Sequence, residues 1–347
     1  MGHAEVENGT SFAFAPLFLV EEEGHPLLIP TIKATYPISD CGRLTPSEKQ
    51  VPINPAGELY GKPEESSYKY EPEFAFVKPA TDVVLIGSAY PRRPGDTEVN
   101  VSLHVGPVQK TVRVVGNRYW EKTLGMAYMS SPEPFESIPL IYENAFGGWD
   151  RSNPDEKKHT FEPRNPVGTG FRGKGGKFEE GIRLPNLEDP QCALMSYGDT
   201  PPPAGFGCTS PNWQPRAKFA GTYDEAWMQD RMPLLPKDFD RRFFNAASPG
   251  LVAPGYLEGN EPVLIEGVSP NGPISFNLPG VPPPSCRVEL KGGQIVNLQT
   301  NLDTVIINTD EKFLFLIWRA FTQLRTGPHD VVSIEVKSEG IPAPIAA

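Results

Sequence analysis

Paired acids are the first residues in this chain whose types and spacing could do chemistry. Glu188-Asp189, Asp224-Glu225 and Asp238-Asp240 each place two carboxylates close along the chain. Two carboxylates about 5–10 Å apart across a cleft can hydrolyse a glycosidic bond, one as acid and the other as base or nucleophile. With 43 acids in 347 residues some close pairs are inevitable, and neighbours in sequence set no distance across a cleft. The GTGFRGKG run at 168–175 imitates a phosphate loop. As a dinucleotide fingerprint it lacks the preceding strand and following helix, and as a P-loop it puts Gly175 where Ser or Thr would hold magnesium. A turn-forming loop is the better reading.

Metal and nucleophile motifs are equally sparse. His3, His25, His104, His159 and His329 never fall in an H-x-x-H or H-x-x-x-H pattern, the spacing that would put two imidazoles on one metal. No G-x-S-x-G elbow is present to raise a hydrolase serine. Cys208, in GFGCTSP, has no histidine or basic activator beside it in the chain. The expected inventory is therefore no catalytic residue, no cofactor and no metal. The aromatics are more suggestive. Tyr119, Trp120, Phe146, Trp149, Trp213, Trp227, Phe243 and Phe244 either fill a core or anchor a partner. Trp213, Trp227, Arg242 and Phe243 are the candidate protein-binding residues, and core aromatics with a solvated arginine are the alternative.

Short elements must position these residues. The chain holds 40 prolines, more than twice the usual share of about 5%, together with 33 glycines. Such punctuation predicts many turns and no long helix. TEVNVSLHV alternates strictly, with Val99, Val101, Leu103 and Val105 on one face, and VQKTVRVVG follows a Gly106-Pro107 turn, so the pair predicts a hairpin. TVIINTDEKFLFLIW predicts another, turning at Thr309 to Lys312. DVVLIG reads as a buried strand, and VLIEGV, ISFNL, CRVEL and VVSIEV as further strands. In AGTYDEAWMQDRMPLLPKDFDRRFFNAASP, residues 220–249, Thr222 and Glu225 predict a capping box. The helix it opens shows Tyr223, Ala226 and Trp227 on one side and stops at Pro233. Asp240 caps a second short helix that turns Phe243 and Phe244 inward. Most charges of this segment are thus assigned to caps and solvated faces.

The expected fold is mostly β (a β-rich α+β chain): sandwich-like antiparallel sheets, long ordered loops and two short helices near 223–245. Residues 1–10 are expected as a disordered tail, 11–325 as one β-rich domain, and 326–347 as a C-terminal strand and tail. If there are two lobes, their boundary falls at about 150–175, where periodicity gives way to proline, glycine and asparagine. A net charge of −11 argues against nucleic acid and against an anionic membrane surface. The four cysteines lie far apart with no C-x-x-C pair, as expected of free thiols. MGHAEVENGT carries no secretory pattern, and the longest late apolar run, FLFLIW between Lys312 and Arg319, is strand-sized. A cytoplasmic protein is expected.

Taken as an ordered set, several segments carry a resemblance. They are YGKPEESSYKYEPEFAFVKPATDVVLIGSAY, VSLHVGPVQKTVRVVGNRYW, IPLIYENAFGGWD, NPVGTGF, LPNLEDP, PAGFGCTSPNWQPR and the 220–249 stretch. Over roughly residues 15 to 320 the chain resembles a bacterial family, long labelled a domain of unknown function, found beside type VI secretion effectors. The resemblance implies an effector chaperone or adaptor, with a toxin effector as one partner and a VgrG or PAAR-type spike component as the other. It implies no catalytic residue. Cys208 with Thr209 departs from the more apolar or proline-like turn expected there, and Arg241 stands where a proline often follows the capping aspartate. Two other readings stay open: a hydrolytic, for example carbohydrate-active, enzyme using dispersed carboxylates, and a structural component of the secreted spike.

Overall fold

Two runs rich in branched aliphatics, PLLIPTIKATYP and FLFLIWR, lie side by side at the centre of the largest sheet. The computed structural model describes residues 4–39, 42, 44–173 and 178–338. The first run is strand β3 (Pro26–Pro37), which pairs antiparallel with Phe313–Arg319, from Pro37 opposite Phe313 to Thr31 opposite Arg319. Both runs are buried over nearly their whole length. That explains why neither alternates apolar and polar residues: a strand covered on both faces reads as one apolar run. Strand β2 (Ala13–Val20) lies outside β3, and Asn301–Asn308 followed by Asp82–Ile86 complete the other side. Thr322–Gln323 adds a short pairing to β3, making six strands.

The predicted hairpin at 97–116 is the heart of a five-stranded sheet. Glu98–Val105 pairs with Val108–Val115, and Gly106 takes a φ of +52° at the turn. Val99, Val101, Leu103 and Val105 are buried, as the alternation requires, and His104 lies half-buried on the other face. Pro262–Glu266 and Ile274–Asn277 extend this sheet on one side and Leu187–Glu188 on the other. A four-stranded sheet runs β1 (Glu5–Asn8), Val331–Lys337, Ser285–Leu290, Gln294–Gln299. One continuous hydrophobic core joins all three sheets, with Trp318, Leu103 and Val288 as members from each. It draws on residues before and after the 150–175 stretch. Trp120, Phe146, Leu184 and Leu194 form a smaller cluster beside it.

The mostly β expectation holds, with sheets that are antiparallel except where Asp82–Ile86 runs along Asn301–Asn308, β1 along Val331–Lys337 and Phe146–Gly147 along Thr169–Gly170. Both late-chain hairpin strands, Asn301–Asn308 and Phe313–Arg319, pair as predicted. Two expectations need correcting, and one strand was not foreseen. Glu5–Asn8 is a strand and not part of a loose tail, because the Val331–Lys337 edge offers it a ladder. Gln294–Gln299 is a strand that its polar composition hid. Of the two helices expected near 223–245, only α1 (Glu225–Asp230) is α-helical, and Arg241–Phe244 is a single 3₁₀ turn. The described residues of the 150–215 stretch form irregular chain with two-residue strands such as Thr160–Phe161 and Thr169–Gly170. Among the described residues no helix is long and apolar enough to cross a membrane.

Candidate functional site

The two edges of the six-stranded sheet are finished differently. At the Asp82–Ile86 edge the outward N–H groups are occupied. Val83 N–H donates to the Leu251 carbonyl at 2.9 Å and Leu85 N–H to the Phe206 carbonyl at 3.2 Å. The opposite edge is β2, AFAPLFLV, which has no charged residue. Among the described residues, no backbone group other than those of β3 bonds to it.

Register identifies the groups left over. Glu21 N–H donates to the His25 carbonyl at 3.0 Å, so with Leu19 opposite Leu27 and Leu17 opposite Ile29 the odd-numbered β2 residues face β3. Pro26 and Pro30, opposite Val20 and Pro16, turn their carbonyls the other way, to Leu324 N–H at 2.8 Å and Ala320 N–H at 3.4 Å. Phe14, Phe18 and Val20 therefore aim N–H and C=O outward, and Pro16 aims a carbonyl alone. An apolar strand edge with unpaired donors and acceptors is a template for another strand, and a proline within it limits indiscriminate pairing. The phenyl rings of Phe14 and Phe18 pack on the core, while Val20 at the end of the edge is 52% exposed.

The 220–245 segment is latched onto that end. Gly24, with φ +89°, forms the β2–β3 turn, and Leu234 lies against it. Arg231 donates to the Glu22 carbonyl at 2.5 Å and to Glu23 Oε1 at 3.1 Å. Arg241 grips the Glu22 carboxylate with two bonds, 2.9 and 3.0 Å. The Arg241 hydrogen bond holds the Glu22 carboxyl below its ordinary value. So the arginine that departs from the expected proline has a task, which is to tie this segment to the turn. Its guanidinium also lies 6.0 Å from the ring centre of Phe321, an exposed residue.

Three of the four predicted binding residues belong to this segment. Trp227 is half-buried: its backbone N–H donates to Asp224 Oδ1 at 2.9 Å, its indole Nε1 donates to the Leu234 carbonyl at 2.8 Å, and its ring meets Tyr223 edge-on at 4.7 Å. The cap of α1 is thus Asp224 and not the predicted Thr222. Thr222 instead closes the loop, giving its N–H and hydroxyl to Asp238 at 3.0 and 2.8 Å. Asp240 caps the 3₁₀ turn through Arg242 N–H, as expected. Arg242 is exposed, bonded to Asp240 through Nε at 2.9 Å and stacked 4.5 Å over Phe219. Phe243 is half-buried between Phe239 and Phe244, at 5.6 and 5.8 Å, and Arg216 lies over its ring. Trp213 is the correction. At 3% exposed and edge-on to Tyr142 at 5.4 Å, it is core and out of a partner's reach.

Three more exposed side chains complete the surface: Tyr223 at 54%, Met232 at 61% and Met228 at 62% exposure. Methionines adapt their shape to an apolar partner. The β2 edge had one sign in the sequence, a proline inside an uncharged apolar run, which edge strands tolerate best, although the central β3 carries Pro30 as well.

Apart from Glu225, the paired acids that could have done chemistry are engaged elsewhere. Glu188 is buried against Arg118 at 2.8 Å, Asp189 accepts from Gln191 N–H at 2.9 Å, and Asp224, Asp238 and Asp240 serve the cap, loop and turn just described. Deeper in the molecule Asp303 meets Arg319, Glu73 meets Lys33 and Asp82 meets Lys78, pairs joining residues far apart in the chain or hidden within strands. Burial pushes the Cys208 thiol up to about 12, which keeps it protonated and unreactive. In the glycine run, Thr169–Gly170 pairs with Phe146–Gly147, and Gly173 N–H is taken by Asp150 at 2.8 Å. Lys174 and Gly175, like Cys41 and His3, lie outside the described residues. Among the described residues no cluster of three His, Cys, Asp or Glu is placed to hold a metal.

Comparison with known proteins adds a family. The chain belongs to the bacterial family described as "Uncharacterized protein conserved in bacteria (DUF2169)", whose model matches residues 23–319. No curated protein and no solved structure matches it.

Proposed function

We propose that this family member is an adaptor-chaperone for a type VI secretion effector. It holds an extended segment of the toxin as an added strand on the β2 edge, in the cytoplasm, and hands it to a VgrG or PAAR-type spike component. The observation that carries the reading is the uncharged β2 edge, whose outward donors and acceptors are unpaired among the described residues. The aromatic and methionine surface of the 220–245 segment is tied to the end of that edge. Main-chain hydrogen bonds along such an edge give affinity, and neighbouring side-chain surfaces choose the client. An effector segment destined for the spike has the matching need, an apolar strand to be kept from self-association until delivery.

Affinity capture from the producing bacterium, with the bound proteins identified, tests this when run beside a Val20→Pro variant. Val20 N–H points away from β3, so proline there leaves the β3 ladder whole while removing an outward donor. The expected result is a toxin effector or spike component retained by the native protein and lost by the variant at an unchanged thermal midpoint. Retention by both would count against the edge. Capture of neither class of partner would count against the adaptor reading itself.

A further inference from the structure

The lysines buried in this molecule come with carboxylates. Lys33 Nζ meets Glu73 at 2.5 Å and Lys78 Nζ meets Asp82 at 2.7 Å. Lys110, half-buried on the Val108–Val115 strand, differs. Its Nζ donates to Ser248 Oγ at 2.6 Å and to the Pro249 carbonyl at 2.8 Å, both neutral acceptors. Among the described residues no carboxylate lies within ion-pair distance of it. An ammonium has three N–H groups, so one is left over. Desolvation lowers this lysine to about 8, partly countered by Asp189.

Lys110 lines a cleft of about 280 Å³. The walls facing it are largely apolar: the Tyr142 ring, Pro202, Pro203, Pro215 and Pro249. Two other charged residues line the cleft. Arg164 holds Glu162 with two bonds of 2.7 Å each and reaches the Thr200 and Pro201 carbonyls. Asp189 accepts from the Gln191 amide. The Ser248 hydroxyl also bonds the Tyr142 hydroxyl at 2.9 Å, and its residue is fully buried. Serine and lysine here therefore form a floor, and the lysine's spare N–H is the feature that a ligand could use.

We propose that this cleft binds a small apolar carboxylate, its anionic end on Lys110 Nζ and its apolar part against the proline and tyrosine walls. The volume falls just below the usual range of ligand sites, roughly 300 to 1,000 Å³, so only a few carbons fit behind the carboxylate. Two sources have this chemistry, a free carboxylic acid and the C-terminus of a peptide. The inference does not depend on the adaptor reading.

The test uses the whole chain and four probes: butyrate, benzoate, and the tetrapeptide Ala-Ala-Pro-Leu as free acid and as C-terminal amide. Protection of Lys110 from trace acetylation, followed by mass spectrometry, reads the site in the unmodified protein. Calorimetry on the native chain and on Lys110→Gln and Lys110→Arg reads affinity. The expected result is saturable protection of Lys110 by a carboxylate probe, binding weakened at least tenfold in Lys110→Gln and partly restored in Lys110→Arg. Protection by butyrate or benzoate points to a free acid, and protection by the peptide acid but not its amide points to a C-terminus. Equal protection by acid and amide, or no protection by any probe, overturns the proposal whether or not the variants fold.

Discussion

Trp213 and Trp227 show how one residue type takes opposite parts in the same molecule. Trp213 fills the core against Tyr142, so Trp213→Ala should cost about 3–5 kcal/mol, read as a lowered denaturant midpoint. Trp227 organises a small loop through one backbone and one indole hydrogen bond, and it shares a ring contact with Tyr223. Trp227→Phe keeps the ring contact and removes the indole donor, so a loss of about 0.5–1.5 kcal/mol is expected. Arg242→Ala should leave the thermal midpoint where it is, since the guanidinium is exposed and bonded only to its neighbour Asp240 and stacked on Phe219. Sequence located Trp227, Arg242 and Phe243 on one segment because capping chemistry is local. It could not separate Trp213 from them, because burial depends on Tyr142, which lies far off in the chain.

At the scale of elements, the latch between the 220–245 segment and the β2–β3 turn rests on Arg241 and Glu22. Glu22 has a lowered folded value, so its contribution is complete above the ordinary 4.5 and is lost as pH falls through the depressed value. Hydrogen exchange followed by mass spectrometry should therefore show 220–242 opening on acidification before the strands of the core. Arg241→Ala should produce the same loosening at neutral pH. Exchange in that segment that does not change with pH in the variant and the native chain alike would show the latch to be idle. The hairpins at 97–116 and 301–319 were legible, the first from its alternation about a Gly106-Pro107 turn and the second from two apolar runs set either side of Thr309 to Lys312. The cap went to Asp224 over Thr222 because both acceptors sit before the same helix, and Thr222 had a distant competitor in Asp238. The β2 edge itself was not legible. Which strand ends a sheet follows from strand order, and AFAPLFLV alone gives only its proline as a hint.

For the whole molecule, a mostly β fold with irregular ordered connections was readable from composition and period. The buried ion pairs were not. Asp303 meets Arg319 across neighbouring strands and Glu73, in a connecting loop, meets Lys33, contacts that no local pattern reveals. The net charge of −11 bears on the proposed client at this scale. If the client segment is basic, affinity should fall as salt rises, since the Debye length shrinks from about 10 Å at 0.1 M to about 3 Å at 1 M. Affinity that ignores salt would leave strand pairing and apolar contact as the whole of the interaction. Hydrogen exchange on the outward amides of β2, with and without the captured effector, bears most directly on how the molecule holds its client. Added-strand pairing predicts strong slowing at Phe14, Phe18 and Val20 when the effector is bound. Unchanged exchange at those three, with protection appearing on another surface, would contradict it.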